Sequence, residues 1–317
     1  MAITGTDIQY AKQLLDSNQL VAIPTETVYG LAGKAFSSEA VLKIFKTKNR
    51  PSFDPLIAHS DSIESIESFV DHFPIQAKKL AEAFWPGALT LLLPKNDKIP
   101  DIMSSGLPNV AVRIPAHKLT LELLQSLDYP LAAPSANPFG YVSPTSAQHV
   151  ANNLGDKIPY ILDGGNCSIG VESTIVGFEN DQPIVYRLGG LKIEQIEEVV
   201  GKIQIKNNQS SNPKAPGMVK SHYAPGKPVE IVNLQSKLAE QTTDLNNTGF
   251  ITFGFQIDAP YVVSLSESKN LEEAAYNLFS ALRHFDSLPV NKIYTELVPN
   301  TGIGRAINDR LQRAAAK

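Results

Sequence analysis

The sequence predicts an α/β protein made of two units, a larger one around a mixed β-sheet and a smaller one around a parallel sheet. Apolar runs alternate with amphipathic helical patterns through the first two thirds of the 317 residues. Several successive runs lie too close together for a crossover helix, which predicts antiparallel neighbours in the same sheet. A polar stretch then precedes strands separated by helix-length gaps. The predicted units are 1–202 and 227–317, joined by a linker over 203–226.

In the N-terminal unit, the elements follow from hydrophobic spacing and from breaker residues. Ser38 is a predicted N-cap, and Trp85-Pro86-Gly87 is a predicted helix stop. Helical spacing predicts helices at 7–15, 38–48, 75–84, 146–154 and 193–200. Apolar runs predict strands at 20–23, 55–58, 89–93, 110–114, 131–133, 158–162, 173–178 and 184–187.

The linker and the C-terminal unit differ sharply in composition. Residues 206–213 carry no aliphatic side chain, which is typical of a linker. His222 and Tyr223 then lie between two proline-glycine breaks, which indicates a segment that docks against the protein. In the C-terminal unit, strands are predicted at 229–232, 249–253, 262–265 and 292–297, and helices at 270–285 and 304–316.

Composition excludes several classes of protein. The formal net charge is −4, which argues against a strongly basic nucleic-acid binder. The single cysteine, Cys167, excludes an internal disulfide and a cysteine-based zinc site, and we interpret it as a packed side chain. The start of the chain lacks a signal-peptide pattern, and no run approaches the roughly 18 apolar residues of a membrane span. The composition therefore predicts a reduced, cytoplasmic protein.

Residues 24–31, Pro-Thr-Glu-Thr-Val-Tyr-Gly-Leu, form the most informative stretch of the chain. The apolar run 20–23 stops at a proline and opens into hydroxyls, a carboxylate and a tyrosine. Open α/β sheets place their ligand chemistry at such strand ends. The stretch therefore predicts one wall of a binding site.

Basic side chains lie in or at the ends of four other predicted elements. Lys48 and Arg50 suit a polyphosphate, although in isolation a solvated basic helix end is the more common explanation. Arg113 lies inside an apolar strand, where it is either a structural ion pair or a receptor for a carboxylate. His59 ends a strand, where a structural hydrogen bond is the commoner role. Arg187 ends another strand before a glycine pair.

Small polar residues complete the set of candidates, and familiar catalytic motifs are missing. Ser135, Asn137 and Ser143 lie among prolines, and Ser173 begins a strand. The sequence has no phosphate-binding loop of the Gly-x-x-x-x-Gly-Lys-Ser/Thr type, no Gly-x-Ser-x-Gly elbow and no His-Glu-x-x-His motif. We therefore expect any metal to arrive with a nucleotide rather than to sit in a protein cage.

Taken in order, eight motifs resemble the two-domain form of the YrdC family. They are PTETVYGL, KTKNRP with DPLIAH, FWPGALT, VAVRIP, PSANPFG, ESTIVG, YRLGG and APGMVKSHYAP, followed by GIGRAINDRLQRAA near the C-terminus. The resemblance implies an N-terminal YrdC-like domain with a large concave cavity and a smaller Rossmann-like domain. It also implies synthesis of threonylcarbamoyl-AMP and pyrophosphate from L-threonine, bicarbonate or CO2, and ATP with Mg2+. The product would pass to a complex that modifies tRNA, with at most weak direct binding of tRNA and no membrane contact.

Carried over by motif position, the resemblance implies roles for individual residues. Threonine would be held by Thr27, His59, Arg113 and Ser173, with Arg113 as the receptor for its carboxylate. ATP would be held by Lys48, Arg50, Asp54, Ser135, Asn137, Ser143 and Arg187, with Tyr223 of the linker closing over it. No covalent nucleophile is implied, so Lys48 and Arg50 are the expected stabilisers of phosphate charge.

Three positions depart from the family pattern. Asp54 replaces the usual asparagine, and a carboxylate near phosphates repels them unless Mg2+ or a cation intervenes. Leu188 intervenes between Arg187 and the glycine pair, and Val219 stands where a lysine is common.

Two other functions fit parts of the pattern. A concave surface could clamp double-stranded RNA, but the net charge of −4 and the lack of arginine-rich aromatic patches count against this. A related domain also occurs in longer carbamoyl-transfer proteins of hydrogenase maturation, whose zinc fingers a single cysteine excludes.

Overall fold

A computed structural model describes residues 1–206, 215–216, 223–240 and 242–316. The N-terminal strands of the described chain are β1 (Ile3–Gly5), β2 (Val21–Ile23), β3 (Gly30–Lys34), β4 (Ile57–His59), β5 (Leu89–Pro94), β6 (Asn109–Arg113), β7 (Leu131–Ala132), β8 (Tyr160–Leu162), β9 (Thr174–Glu179), β10 (Gln182–Arg187) and β11 (Gln204–Ile205). The helices are α1 (Ile8–Asp16), α2 (Ser38–Lys48), α3 (Ile63–Glu67), α4 (Ile75–Phe84), α5 (Asp101–Ser104), α6 (Lys118–Gln125), α7 (Ala147–Leu154) and α8 (Ile193–Val200).

These strands form one mixed sheet in the order β1-β8-β2-β3-β7-β4-β6-β5-β9-β10-β11. Parallel pairs such as β4 with β6 alternate with antiparallel pairs such as β5 with β6. The predicted mixed sheet is therefore confirmed. Gln204–Ile205, which the sequence assigns to the linker, instead pair in parallel with β10 and extend the sheet.

The C-terminal residues form a separate, fully parallel sheet among the described strands. Its order is β12-β15-β13-β14, and each neighbouring pair is parallel. This confirms the predicted parallel α/β unit. The elements are β12 (Val229–Ile231), α9 (Leu234–Ala239), β13 (Thr248–Thr252), β14 (Val262–Ser264), α10 (Leu271–His284), a 3-10 turn at Phe285–Ser287, β15 (Lys292–Thr295) and α11 (Gly304–Ala314).

The apolar core of the C-terminal unit extends into the N-terminal unit. Val28, Val142 and Val171 belong to the N-terminal sequence, yet they pack in one cluster with α10 and α11. Tyr223, which follows the undescribed linker residues, joins the same cluster. Burial of apolar surface therefore holds the two units together and fixes the C-terminal helices against the face that carries the candidate site.

Several elements were not predicted. Strand β3 contains two glycines, which weaken a strand pattern, but close packing requires small residues there: a Cβ on Gly33 would lie 3.0 Å from Leu20 and 3.3 Å from Ile44. Helix α6 was missed because its leucines recur at two-residue as well as helical spacing. Short elements account for the rest, namely β1, β11, α3, α5 and α9.

Where an element was predicted, its centre is right and its ends shift by a few residues. The α2 cap is Ser37 rather than Ser38, because the Ser37 side chain accepts a hydrogen bond from the Ala40 amide. Helix α11 begins at Gly304 as predicted. Among the described residues, no helix combines the length and apolar character needed to cross a membrane.

Candidate active site

The candidate site is a covered cavity where strand ends and loops of the mixed sheet meet the segment after the linker. Residues His59 and Arg113 are paired in register at the ends of parallel β4 and β6, so their side chains enter from neighbouring positions. The lining residues are Thr25, Thr27, Val28, Gly30, Arg50, Pro55, Leu56, Ile57, His59, Arg113, Ala133, Pro134, Ser135, Glu172, Ser173, Arg187, Pro216 and Tyr223. Among the described residues, three arginines therefore face one small volume.

The segment 24–31 builds one wall through a tight hydroxyl turn. Thr25 Oγ1 accepts hydrogen bonds from the amides of Thr27 and Val28, each at 3.1 Å, and donates to Val28 O at 2.6 Å. Such side chain–backbone bonds fix a turn without a regular element. Thr27 is fully buried, and its Oγ1 accepts a bond from Arg113 Nη1 at 2.9 Å. The turn thus presents an ordered hydroxyl beside a guanidinium.

Arg113 is both a member of an ion pair and a lining residue of the cavity. Its Nη2 lies 2.6 Å from Glu26 Oε1, and its Nε donates to Gly87 O at 3.1 Å. Glu26 Oε2 in turn accepts the Ala116 amide at 3.0 Å. The sequence left a structural ion pair and a carboxylate receptor as alternatives; the ion pair exists, and the guanidinium also faces the cavity.

His59 is a neutral imidazole in the wall. Burial, together with the nearby charge of Arg113, lowers the pKa of His59 from 6.5 to about 3. Its Nδ1 is buried and has no hydrogen-bond partner within the described structure. A buried polar atom without a partner is costly, which favours a ligand group at this position.

Lys48 and Arg50 are buried. The explanation that the isolated pattern favoured, a solvated basic helix end, is therefore wrong for both residues. Lys48 is 1% exposed and Arg50 is 9% exposed, whereas Lys46, two residues before Lys48, is exposed. Lys48 Nζ donates to Ser135 O at 2.5 Å and to Asn137 O. Burial lowers the pKa of Lys48 well below its ordinary value, and the charge of Arg50 adds to this. Lys48 therefore supports the 134–138 turn from behind and does not line the cavity.

Arg50 lines the cavity and is held by the chain that follows it. Its Nε donates to Asp54 O at 2.9 Å, and its Nη2 donates to Pro55 O at 2.8 Å. Asp54 Oδ2 lies 2.9 Å from the same Nη2. From the sequence, Asp54 needs a cation nearby if it lies close to phosphates. That cation is Arg50, and Asp54 itself does not line the cavity.

Of the remaining nucleotide candidates, Ser135 and Arg187 line the cavity but Asn137 and Ser143 do not. Asn137 Nδ2 donates to Pro138 O and Tyr141 O, so it closes its own turn. Ser143 Oγ donates to Glu172 Oε1 at 2.5 Å. Both are buried behind the wall, where they position other groups.

Arg187 organises the wall near Ser173. Its Nε donates to Ser173 O and its Nη2 to Ser173 Oγ, both at 3.1 Å. The turn after Arg187 packs closely on the same segment, since a Cβ on Gly189 would lie 2.3 Å from Glu172 O. The inserted Leu188 is therefore accommodated because glycine follows it.

The cover of the cavity comes from residues after the mixed sheet. Pro216 O accepts a bond from Arg187 Nη1 at 3.4 Å, and Tyr223 lines the cavity while stacking on Phe279 at 5.6 Å between ring centroids. The covered cavity has a volume of about 50 Å³. Typical small-molecule sites enclose roughly 300–1,000 Å³, so the covered cavity is smaller than a typical ligand site. His222, Val219 and Lys220 lie outside the described residues.

Glu172 lines the cavity and Arg310 is buried behind it, and the sequence did not single out either residue. Burial raises the pKa of Glu172, but Arg310 and Arg187 outweigh burial and bring that pKa below its usual value. Glu172 precedes Ser173 in the ESTIV motif, which is the signal that would have found it. Within the described residues, no cluster of three or more histidine, cysteine or acidic side chains could hold a metal.

Comparison with known proteins extends over nearly the whole chain. A family model described as "Telomere recombination", for Sua5, YciO and YrdC proteins, matches residues 13–189, and one described as "Threonylcarbamoyl-AMP synthase, C-terminal domain" matches 191–316. Proteins named threonylcarbamoyl-AMP synthase from Pyrococcus abyssi and Bacillus subtilis are each 42% identical. These matches cover 97% and 99% of this chain and 94% of each relative.

Solved structures agree with the sequence relatives. The crystal structure of P. abyssi Sua5 complexed with L-threonine superposes with a TM-score of 0.92 at 40% identity, covering 99% of this chain and 97% of that one. A crystal structure of full-length HypF matches with a TM-score of 0.52 at 18% identity over 59% of this chain, which reflects a shared fold alone. The resemblance found in the sequence motifs is thus confirmed, and the chain belongs to the Sua5/YciO/YrdC family in its two-domain form.

Proposed function

We propose that this protein is a threonylcarbamoyl-AMP synthase, which converts L-threonine, bicarbonate or CO2, and ATP into threonylcarbamoyl-AMP and pyrophosphate. One observation carries the proposal: Arg50, Arg113 and Arg187 come from three separate parts of the chain and line one cavity. A site that seats two anionic substrates side by side needs this charge, because the substrates repel each other in a poorly solvated space. The names of the full-length relatives support the same activity.

The proposed threonine subsite consists of Thr27, His59, Arg113 and Ser173. Arg113 would take the carboxylate as a charge-assisted pair. The buried Nδ1 of His59 would accept a hydrogen bond from a hydroxyl or an amine of the substrate. The ordered hydroxyl of Thr27 lies beside Arg113 and completes the polar wall.

The proposed nucleotide subsite has direct and supporting members. Arg50, Ser135 and Arg187 line the cavity and would contact ATP. Lys48, Asp54, Asn137 and Ser143 would act from behind, by holding the Ser135 turn, the Arg50 guanidinium and Glu172. Mg2+ would enter bound to the phosphates, since the described side chains offer no metal cage.

The reaction then requires positioning rather than a covalent intermediate. The threonine nitrogen adds to the carbon of CO2 and loses a proton, which gives a carbamate. A carbamate oxygen attacks the α-phosphorus, and the bond from that phosphorus to the β-bridging oxygen breaks, which releases pyrophosphate. Fixed arginines stabilise the charge that develops, and orientation of such groups can supply roughly 7–11 kcal/mol. Carbamates hydrolyse readily in water, so a cover over the site protects the intermediate.

Mass spectrometry of a mixture with ATP, threonine and bicarbonate tests the proposal directly. The expected product is AMP joined to a threonylcarbamoyl group, formed with an equal amount of pyrophosphate and absent when threonine or bicarbonate is omitted. Hydrolysis of ATP to AMP with no such adduct would contradict the proposal.

Serine in place of threonine measures how strongly the enzyme discriminates for the side-chain methyl group. A gel shift with tRNA at physiological salt tests the RNA-binding alternative. We also propose that the product passes to a tRNA-modifying complex and that the protein is cytoplasmic.

Replacing Tyr223 by alanine is expected to lower the rate of product formation about tenfold while threonine affinity changes less than twofold. Tyr223 lines the cavity and fixes the cover through its stack on Phe279. Its loss would admit water to the carbamate without removing a threonine contact. Turnover and calorimetric titration with threonine make the comparison, with the exposed Tyr276 replaced by alanine as the control. Equal losses of rate and affinity would argue against a cover.

Acid is expected to destabilise the protein through His59. The pKa of His59 is about 3 in the folded protein and 6.5 ordinarily, so the unfolded chain binds the proton more tightly. The stabilisation is complete above pH 6.5 and is lost as the pH falls toward 3, by at most about 1.4 kcal/mol per pH unit. Urea unfolding from pH 7 to 4.5 should show a shallower slope for His59→Asn. The exposed His72 replaced by asparagine should behave as the parent does; identical slopes for His59→Asn and the parent would contradict the assignment.

A further inference from the structure

Arg310 of α11 places a fully buried guanidinium between the C-terminal unit and the candidate site. It is 0% exposed and contacts four different groups. Its Nε donates to Glu172 Oε2 at 2.9 Å, its Nη1 to Asp309 Oδ2 at 2.6 Å and its Nη2 to Leu188 O at 2.9 Å. Its guanidinium carbon lies 4.9 Å from the centre of the Tyr223 ring, within the range of a cation–π contact.

Three of these four contacts lead directly to the cavity wall. Glu172 and Tyr223 line the cavity, and Leu188 follows the lining residue Arg187. The other oxygen of Glu172 accepts the Ser143 hydroxyl, so one carboxylate joins Arg310 to the loop that precedes α7. A single side chain of the second unit therefore fixes the wall, the turn behind it and the cover.

Stability alone is a weak explanation for this arrangement. Removing an arginine and a carboxylate from water costs free energy that their attraction only partly restores, and well-packed apolar side chains often stabilise a protein better. The same interface already contains an apolar cluster formed by residues of both units. It also has an ion pair at its partly exposed edge, Arg305 with Glu194 at 2.7 Å, where the desolvation cost is lower.

We propose that Arg310 is a positioning residue for the reaction: it holds Glu172 and Tyr223 in the arrangement that closes the site. The C-terminal unit then completes the active site and does more than carry one end of the linker. The inference rests on the proposed function, since positioning has meaning only for a reaction at this cavity.

The test compares Arg310→Met with Arg305→Met, two arginines of one helix that both bridge the units. We expect Arg310→Met to reduce turnover at least tenfold, measured below its melting temperature and per folded molecule, while the threonine dissociation constant stays within twofold. Arg305→Met should retain parental turnover. Hydrogen exchange of peptides that contain residues 141–145 and 172–174 should accelerate in Arg310→Met without any ligand present. A lower melting temperature with parental turnover per folded molecule would overturn the proposal, as would lost turnover with unchanged exchange.

A second variant distinguishes a loss of positioning from a loss of folding. Arg310→Met leaves the Glu172 carboxylate buried without this partner, so Arg310→Met/Glu172→Gln removes both charges and should recover stability. Positioning through Glu172 predicts that the double variant is no more than twofold slower than the slower single variant, because coupled residues are not additive. Multiplicative losses would overturn the proposal. If the parent makes no threonylcarbamoyl-AMP, the proposed function fails, and the exchange data still report whether Arg310 orders the wall.

Discussion

An enzyme carrying Arg113→Met together with Glu26→Gln is expected to bind threonine at least about 30-fold more weakly than the parent. Arg113 faces the cavity with its guanidinium already ordered by Thr27, Gly87 and Glu26. Removing one partner of a buried, hydrogen-bonded charge pair typically costs about 2–5 kcal/mol of binding, or roughly 30- to 5,000-fold. Threonine titration by calorimetry measures the effect without requiring catalysis.

The second substitution is needed because Glu26 is as buried as its partner. Arg113→Met alone would leave the Glu26 carboxylate uncompensated and destabilise the fold by about 3–5 kcal/mol. Glu26→Gln keeps an oxygen that can accept from Arg113 and serves as the matched control. We expect that control to lose far less affinity than the double variant. Parental threonine affinity in a folded double variant would mean that Arg113 is a structural ion pair only, the alternative that the sequence left open.

The sequence predicted which side chains converge on this cavity because most of them follow strand ends. Thr27, His59, Arg113, Ser135 and Arg187 all lie at or just beyond a predicted strand, and all line the cavity. The physical reason is general: a sheet brings the ends of its strands to common edges, so polar residues placed there converge whatever their separation along the chain. The motifs and their order then identified the family.

What the sequence could not predict depends on long-range burial. Whether Lys48 lines the cavity or supports it depends on a contact with Ser135 and Asn137, 87 and 89 residues away. The pair of Glu172 and Arg310 spans 138 residues and joins the two units. Local patterns carry no information about such partners, so the sequence predicted Asn137, Ser143 and Asp54 as ATP contacts, although none of the three lines the cavity. Strand β3 was not predicted for the same reason: its glycines are required by side chains that pack against it in the fold.

The largest effect on ATP is expected from Arg50→Met combined with Asp54→Asn. Arg50 lines the cavity in a fixed orientation, bonded to Asp54 O and Pro55 O. A preorganised donor aimed at developing charge contributes about 2.7–4 kcal/mol, so kcat/KM for ATP should fall roughly 10²- to 10³-fold. Asp54→Asn removes the buried carboxylate that would otherwise be left without Arg50, and it is also made as a single change. Its kcat/KM should stay within a few-fold of parental, because Arg50 keeps its hydrogen bonds to the backbone oxygens of residues 54 and 55.

Comparison with two lysines of α2 separates direct from indirect effects. Lys46 is exposed, so Lys46→Met should leave ATP kinetics unchanged and exclude a simple loss of net charge. Lys48→Met should also slow the reaction, because its ammonium holds the Ser135 turn. Inhibition by pyrophosphate distinguishes the two roles. If Arg50 contacts the phosphates, its loss weakens pyrophosphate and ATP binding in parallel, whereas the loss of Lys48 acts through the turn and affects pyrophosphate less. Equal pyrophosphate inhibition in the Arg50 variant and the parent would place the triphosphate elsewhere in the cavity.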